Sequence, residues 1–346
     1  MKLKQKINLL ATYGFGHLFI DFMCAFALGH IIFRNIISPE IGGTYFLLYN
    51  IIAFGIQPFI GYLFDKNKQP KYAAMLGLMF AFVGFLYFRS PLTSVIMLGI
   101  GNALYHIGGG LIALNIDPGK ATYPGMYVAP GAIGVFIGGI LGYLQFNLFS
   151  TYFFVGAITT FLIITILILN TPKIKKYKKA SFPFVEAILL LLLTSVAMRA
   201  LIGYSLQIGW KSIPILGTSL VLSIVLGKFF GGILGDRYGF MKTGLLGLVL
   251  ATILLVFFQN APVLVFIGAF AFNLVMPITL TAIANTIPNY KGLAFGLTTL
   301  ALMFGYLIFI FLDKTNIDKL YFTIIFLAIN ILALYYGLKK YEKVVK

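Results

Sequence analysis

The feature that most limits this chain is a succession of apolar stretches, each long enough to cross a bilayer as one helix. A helix needs about 20 mostly apolar residues to span the hydrocarbon. Twelve such runs lie between turn and charge signals, at about 7–33, 43–64, 72–88, 91–114, 122–146, 149–170, 183–205, 214–235, 242–258, 260–285, 292–312 and 317–338. At that length they use about 240 of the 346 residues. The loops left over are short and leave no room for a soluble domain. Only 10% of the residues are charged and 60% are hydrophobic, against about 25% and 45–50% in soluble domains. A soluble enzyme, a secreted disulfide scaffold and a disordered chain are excluded. The first run continues as a span and does not read as a removable signal peptide. One cysteine, Cys24, allows no internal disulfide and no cysteine-rich metal site.

The charge distribution orients the spans. There are 26 Lys+Arg against 9 Asp+Glu. In a soluble protein this excess would suggest nucleic acid, but basic residues of a membrane protein gather in cytoplasmic loops. With twelve spans, the side bearing both termini holds nineteen basic residues, among them Lys66, Lys120, Lys173, Arg237 and Lys291. The other side holds five: Arg34, Arg89, Lys211, Lys314 and Lys319. Two, Arg199 and Lys228, fall inside spans. The alternation places both termini in the cytoplasm of a multi-pass protein of the cell (inner) membrane. No nucleic-acid partner is expected.

The longest polar loop, Thr171 to Ser181, carries Lys173, Lys175, Lys176, Lys178 and Lys179. It reads as a solvated linker rather than an anionic-lipid site. It divides the chain into a six-helix half over 1–172, a basic linker over 173–182 and a second six-helix half over 183–346. The loop after the second span reads Gly61-Tyr-Leu-Phe-Asp65-Lys66, and the loop after the eighth reads Gly232-Ile-Leu-Gly-Asp236-Arg237. Glycine and aspartate recur at a separation of 171 residues, and parallel six-span repeats are a transporter architecture.

These loops resemble those of the major facilitator superfamily, which carries Gly-x-x-x-Asp-Arg/Lys-x-Gly-x-Lys/Arg at both places. The second copy matches at Gly232, Asp236, Arg237, Gly239 and Lys242. The first has Gly61, Asp65 and Lys66, but Lys68 stands where the second glycine is expected. The resemblance implies two pseudo-symmetric six-helix halves, with these loops pinning the helices of one half in the outward-facing state. Span five adds Gly131, Gly134, Gly138 and Gly142 on one helix stripe beside Pro130. It resembles the glycine-rich fifth helix associated with exporters, although the usual Gly-Pro pair is reversed here; close helix packing explains the stripe equally well.

Ionisable groups at membrane depth are costly and are read as functional by default. His17 and Asp21, four apart in span one, share a face. They suit a proton relay; the bland alternative is a hydrogen bond that locks helix packing. Asn102 and His106 share a face of span four and, with Tyr105, are candidates for the lining of a substrate cavity. The following Gly108-Gly109-Gly110 would loosen the helix. Arg199 falls in the outer third of span seven, where it would snorkel, and Lys228 falls nearer the middle of span eight. Both need an anion, either Asp21 across the half–half interface or a substrate. Glu186 is too close to the start of span seven to serve. His30 and Trp210 read as interfacial. The start Gly16-His17-Leu-Phe-Ile-Asp21 also resembles the first helix of the fosmidomycin-resistance branch of the superfamily, which exports small or anionic drugs with protons.

The expected function is therefore a proton-coupled secondary transporter of a small anionic or zwitterionic solute, acting as a monomer without cofactor or metal. Efflux is preferred to import. A membrane-embedded enzyme would need a nucleophile–base set or a metal cluster, and three histidines with one cysteine supply these poorly. A channel would more often be an oligomer. Gly119-Lys120-Ala121 and Gly227-Lys228-Phe229 both lack the Ser or Thr of an ATP-binding loop.

Overall fold

A computed structural model describes residues 1–33, 38–87, 89–177, 183–206, 208–313 and 319–345. Arg34, Lys178, Lys179, Ser181, Lys314 and Lys346 lie outside the described residues. The described residues form helices and no strand. In chain order these are α1 (Leu3–Phe33), α2 (Pro39–Gly55), α3 (Gln57–Asn67), α4 (Pro70–Leu86), α5 (Pro91–Ile116), α6 (Thr122–Val128), α7 (Gly131–Tyr143) and α8 (Leu148–Ile168). After the basic loop come α9 (Val185–Ser205), α10 (Pro214–Tyr238), α11 (Phe240–Phe257), α12 (Pro262–Asn273), α13 (Val275–Thr286), α14 (Lys291–Asp313) and α15 (Lys319–Val345).

Among the described residues, eleven stretches are long and apolar enough to cross a membrane, and α4 is a shorter apolar helix at the place of the third expected span. Proline marks many of the starts. Pro70, Pro91, Pro214 and Pro262 open α4, α5, α10 and α12, where a missing N–H costs nothing. Inside spans, proline breaks the ladder, because its ring displaces the carbonyl four residues back. Pro58 follows the break between α2 and α3, Pro130 separates α6 from α7, and Pro277 follows the break between α12 and α13.

Turn geometry accounts for the imperfect loop motif. Gly239, between α10 and α11, has φ +94°, and Lys68, at the corresponding place after α3, has φ 54°. Both positions have positive φ, but the backbones differ. Lys68 is left-handed helical with ψ 28°, which a non-glycine residue can adopt at some cost, whereas Gly239 has ψ 147°, a region open essentially to glycine alone. The first copy turns without the glycine by taking a different conformation.

Large apolar side chains remain exposed on the outer faces, among them Phe59, Phe153, Ile215 and Phe311. In water such faces would associate; in a bilayer they meet lipid. Inside, helices approach through glycine. Gly134, Gly138 and Gly142 of α7 lie against the carbonyls of Leu18, Phe22 and Phe26 of α1. A Cβ at any of these would meet α1 backbone, so the stripe is packing.

Four sequence expectations are corrected. Gly108, Gly109 and Gly110 do not loosen α5, which is continuous; they seat Ala74 and the rings of Tyr127 and Phe295 against it. His30 is buried and its ring meets Phe26 at 4.6 Å, because it faces the helix packing and not the interface. Arg199 is 7% exposed and does not snorkel; it points into the bundle. Tyr105 is fully buried and its hydroxyl donates to the Tyr13 carbonyl at 3.0 Å, so its polar end serves helix packing. Glu186 is exposed, and Trp210 donates its indole N–H to the Gln259 carbonyl near a helix end.

Candidate functional site

Two groups of polar side chains lie within the apolar helices, and a third set lies at one end of the bundle.

The first group joins α1 to α5. Helical spacing places His17 and Asp21 one turn apart on α1, and Asn102 and His106 one turn apart on α5. Packing then brings the two pairs together. His17 Nε2 lies 2.8 Å from His106 Nε2. The Asp21 carboxylate lies 3.3 Å from His17 Nε2 and 3.7 Å from His106 Nε2, and it accepts from Asn102 Nδ2 at 3.0 Å. The tyrosine ring of Tyr127 stacks on His17 with centroids 4.7 Å apart. Gly131 leaves the room: a Cβ there would stand 2.5 Å from Asp21 Oδ2 and 2.6 Å from His17 Nε2.

The hydrogen bonds fix where the protons are. His17 Nδ1 faces the Tyr127 carbonyl at 2.8 Å, and His106 Nδ1 faces the Asn102 carbonyl at 2.9 Å. Carbonyl oxygens only accept, so both Nδ1 atoms donate. Two neutral imidazoles would then turn two lone pairs at each other across 2.8 Å. A shared proton or a bound cation between the two Nε2 atoms, beside the Asp21 carboxylate, would relieve that contact. The donor set of His17, Asp21 and His106, with ligand atoms within 4.8 Å of one another, also has the composition of a transition-metal site. Each imidazole even has its second nitrogen oriented by a carbonyl. Sequence reading saw too few ligands for a metal because His17 and His106 are 89 residues apart.

The second group lines a cavity of about 370 Å³. Its walls come from α2 (Asn50, Phe54), α9 (Arg199, Tyr204), α10 (Lys228), α12 (Phe272, Asn273), α13 (Met276) and α14 (Met303, Tyr306). Phe54 and Asn273 carry the carbonyls that Pro58 and Pro277 displace, so the helix breaks border this cavity. Arg199 donates from Nη2 to Thr279 Oγ1 at 2.9 Å, and its buried Nε has no partner among the described residues. Lys228 is half-buried and makes no hydrogen bond to a described residue; the charges of Asp21 and Arg199 act on it. The structure therefore brings Arg199 and Lys228 together as expected. It does not bring His106, Asn102 or Tyr105 to the same wall.

The third set lies at the end that carries the termini. Asp65, in the last turn of α3, accepts the backbone N–H of Gly292 at 2.8 Å and of Leu293 at 2.9 Å. Asp236, in the last turns of α10, accepts the N–H of Ala121 at 2.8 Å and of Thr122 at 2.9 Å, and the Thr122 hydroxyl at 2.6 Å. Each carboxylate thus satisfies the orphan donors that open another helix, α14 or α6. Both acids reach across the basic loop's division of the chain, so they do not pin helices within one half. Nor do Lys66 and Arg237 supply these bonds; they lie over the rings of Tyr62 and Tyr238, at 4.4 Å and 5.3 Å. Gly61 and Gly232 permit the approach, since a Cβ would meet Gly292 or Ala121 backbone.

Sequence reading missed several members of this end. Lys291, counted only as a loop charge, is 3% exposed and donates to the Leu114 carbonyl at 3.0 Å and Asn115 Oδ1 at 3.1 Å. Asn289 holds the linker residue Tyr177 by two bonds, accepting its N–H at 2.8 Å and donating to its carbonyl at 3.0 Å. Ala121 and Thr122 precede Gly292 and Leu293 by 171 residues, the separation that also relates Asp65 to Asp236, so the partners of both acids were readable in the sequence once a clamp was sought.

The chain matches the family model described as Major Facilitator Superfamily over residues 10–309. Among solved structures, a variant of the E. coli fucose:proton symporter FucP is 12% identical, with TM-score 0.65 over 96% of this chain and 99% of that one. FucP in the outward conformation is 13% identical, with TM-score 0.66 over the same shares. A bacterial homologue of the iron transporter ferroportin in an outward-facing state is 14% identical, with TM-score 0.61 over 97% and 99%. At these identities the likeness is one of fold. None of the curated proteins compared matches the chain.

Proposed function

This chain belongs to the Major Facilitator Superfamily, and on that premise we propose that it is a proton-coupled secondary transporter of a small anionic or zwitterionic solute. It is a transporter and not an enzyme. The reading has twelve transmembrane helices in two pseudo-symmetric halves, 1–172 and 183–346, joined by the basic linker, with α4 as the third span. Both termini are cytoplasmic in an inner membrane, and the unit is the monomer.

The observation that carries the reading is the cavity with two cations, lined from both halves, beneath which reciprocal caps close one end. The offsets support the two-half reading: Asp236 follows Asp65 by 171 residues, Ala121 precedes Gly292 by 171, and Thr122 precedes Leu293 by 171. One clamp is the sequence-shifted copy of the other. With that end cytoplasmic, the state is outward-facing, and breaking both clamps opens the path inward.

Coupling follows from charge. In the empty carrier, the negative triad partner Asp21 compensates part of the positive charge at Lys228. A proton taken up by the His17–Asp21–His106 cluster weakens that hold and leaves Lys228 to the solute. Moving the unpaired charges across the bilayer without solute is disfavoured. The glycine stripe of α7 packs onto α1 and does not argue for efflux over import; the gradients set the direction.

The test is luminal acidification in pyranine-loaded proteoliposomes under an inward solute gradient, screened with organic anions and amino acids. Acidification that needs both solute and Asp21 supports the reading. Solute flux indifferent to a pH gradient and unchanged by Asp21→Asn overturns the coupling.

A further inference from the structure

We infer that the solute is an organic dianion with an apolar body, and that zwitterions are excluded. The inference rests on the transport reading for the role of the cavity, and concerns what the cavity recognises.

The cavity charge is unbalanced in one direction. Arg199 and Lys228 line it, and no aspartate or glutamate among the described residues does. The nearest interacting carboxylate, Asp21, is already engaged by His17, His106 and Asn102. A ligand ammonium would find no acid and would face two cations. Burying it there unpaired is costly, so amino acids and other zwitterions do not fit.

The two cations are also not satisfied by the protein. Thr279 takes one donor of the Arg199 guanidinium and fixes its plane. The Nε–H of the same buried group is left without a partner. A guanidinium held in this way presents a planar fork suited to a carboxylate or phosphate. Lys228 offers a second, rotatable ammonium on the opposing helix. A monoanion would neutralise one and leave the other without a counter-charge. Two negative charges on one solute neutralise both.

The rest of the wall is apolar. Phe54, Phe272, Met276 and Met303 line it, and Tyr204 and Tyr306 meet with ring centroids 4.8 Å apart. About 370 Å³ is the size of cavity that takes a small organic molecule and not a polymer. An aromatic or aliphatic body carrying two acidic groups, or one phosphate, fits both the charge and the surface.

The test is binding to the purified full chain, by calorimetry and thermal shift at pH 7.5, with one ring and a varied charge: phthalate, phenyl phosphate, benzoate, phenylalanine and benzyl alcohol. The two dianions separate a dicarboxylate from a phosphate ester. The expected result is that at least one dianion binds about tenfold or more tighter than benzoate, with phenylalanine and benzyl alcohol silent. Lys228→Gln, a change that removes one charge, is expected to reduce the preferred dianion to the level of benzoate and to leave benzoate unchanged. Arg199→Gln is expected to lose both. Retained helical circular dichroism and a monodisperse elution profile show that each variant is folded. Binding of phenylalanine as tight as that of phthalate overturns the inference. So does absence of binding by both dianions, or a dianion preference that survives Lys228→Gln in folded protein. The assay uses no gradient, so dianion binding without proton flux in liposomes would overturn the transport reading alone.

Discussion

The ionisable groups between α1 and α5 and those on α9 and α10 solve the cost of burial in opposite ways. The α1–α5 cluster contains an acid, two imidazoles and an amide, each within hydrogen-bonding reach of another, with backbone carbonyls holding the outer nitrogens. Its donors and acceptors are drawn together by one another. The Arg199–Lys228 pair has no acid and one side-chain hydrogen bond among the described residues. A cluster of two imidazoles and a carboxylate is suited to exchanging a proton, and a cavity with two cations is suited to an anionic solute. Packing puts His106 and Asn102 with His17 and Asp21, whereas the sequence reading had placed them with Arg199 and Lys228 in the substrate lining.

The largest expected effect tests the coupling side. Asp21→Asn removes the charge that balances the shared proton and is expected to bring proton-driven uptake to background, while dianion binding is kept to within a few-fold. The measurements are liposome acidification and calorimetry on the same preparation. Loss of binding together with coupling would mean that the two regions are one site.

Next comes Gly131→Ala. The added methyl would stand within 3.0 Å of both Asp21 and His17, so the imidazole pair must separate or α7 must shift. Overpacking of this kind costs about 1–3 kcal/mol. A lowered Tm with weakened proton coupling is expected, and unchanged coupling would show that the His17–His106 contact is not needed.

The clamps should contribute less to stability and more to conformation. Asp65→Ala and Asp236→Ala each remove helix-capping bonds worth about 0.5–2 kcal/mol. The expected readout is faster alkylation of cysteines placed at the terminal end, near Gly292 or Thr122, with the double variant faster than either. Equal rates in wild type and double variant would show that the caps do not hold this end closed. The smallest effect is expected for Asn289→Ala, which frees the linker at Tyr177. Net hydrogen-bond contributions of about 0.5–1.5 kcal/mol predict a Tm shift of a few degrees at most and unchanged solute binding.

Much of this was readable from residue order. The apolar runs gave the helices because crossing length is set by rise per residue and bilayer thickness. Gly61, Asp65, Gly232 and Asp236 announced themselves by their spacing, and Lys68 announced the departure. The pairs His17–Asp21 and Asn102–His106 followed from one helical turn. What these groups touch did not follow. Lys291 and Asn289 look like ordinary loop residues, and Tyr127 like one tyrosine of 20. Arg199 was placed near the outer surface by counting residues, but counting gives depth along an axis and says nothing of which way a side chain turns.

The sequence by itself determined the solvent, the spans, the repeat and the short list of charges that hydrocarbon does not tolerate. Each is a property of composition or of spacing along one helix. Only the tertiary structure decided that the histidines meet each other, that the two cations line a cavity with no acid among its described residues, and that each motif aspartate caps a helix more than 110 residues away. Those facts depend on how helices pack, and a buried charge takes its meaning from the partner that packing supplies or withholds.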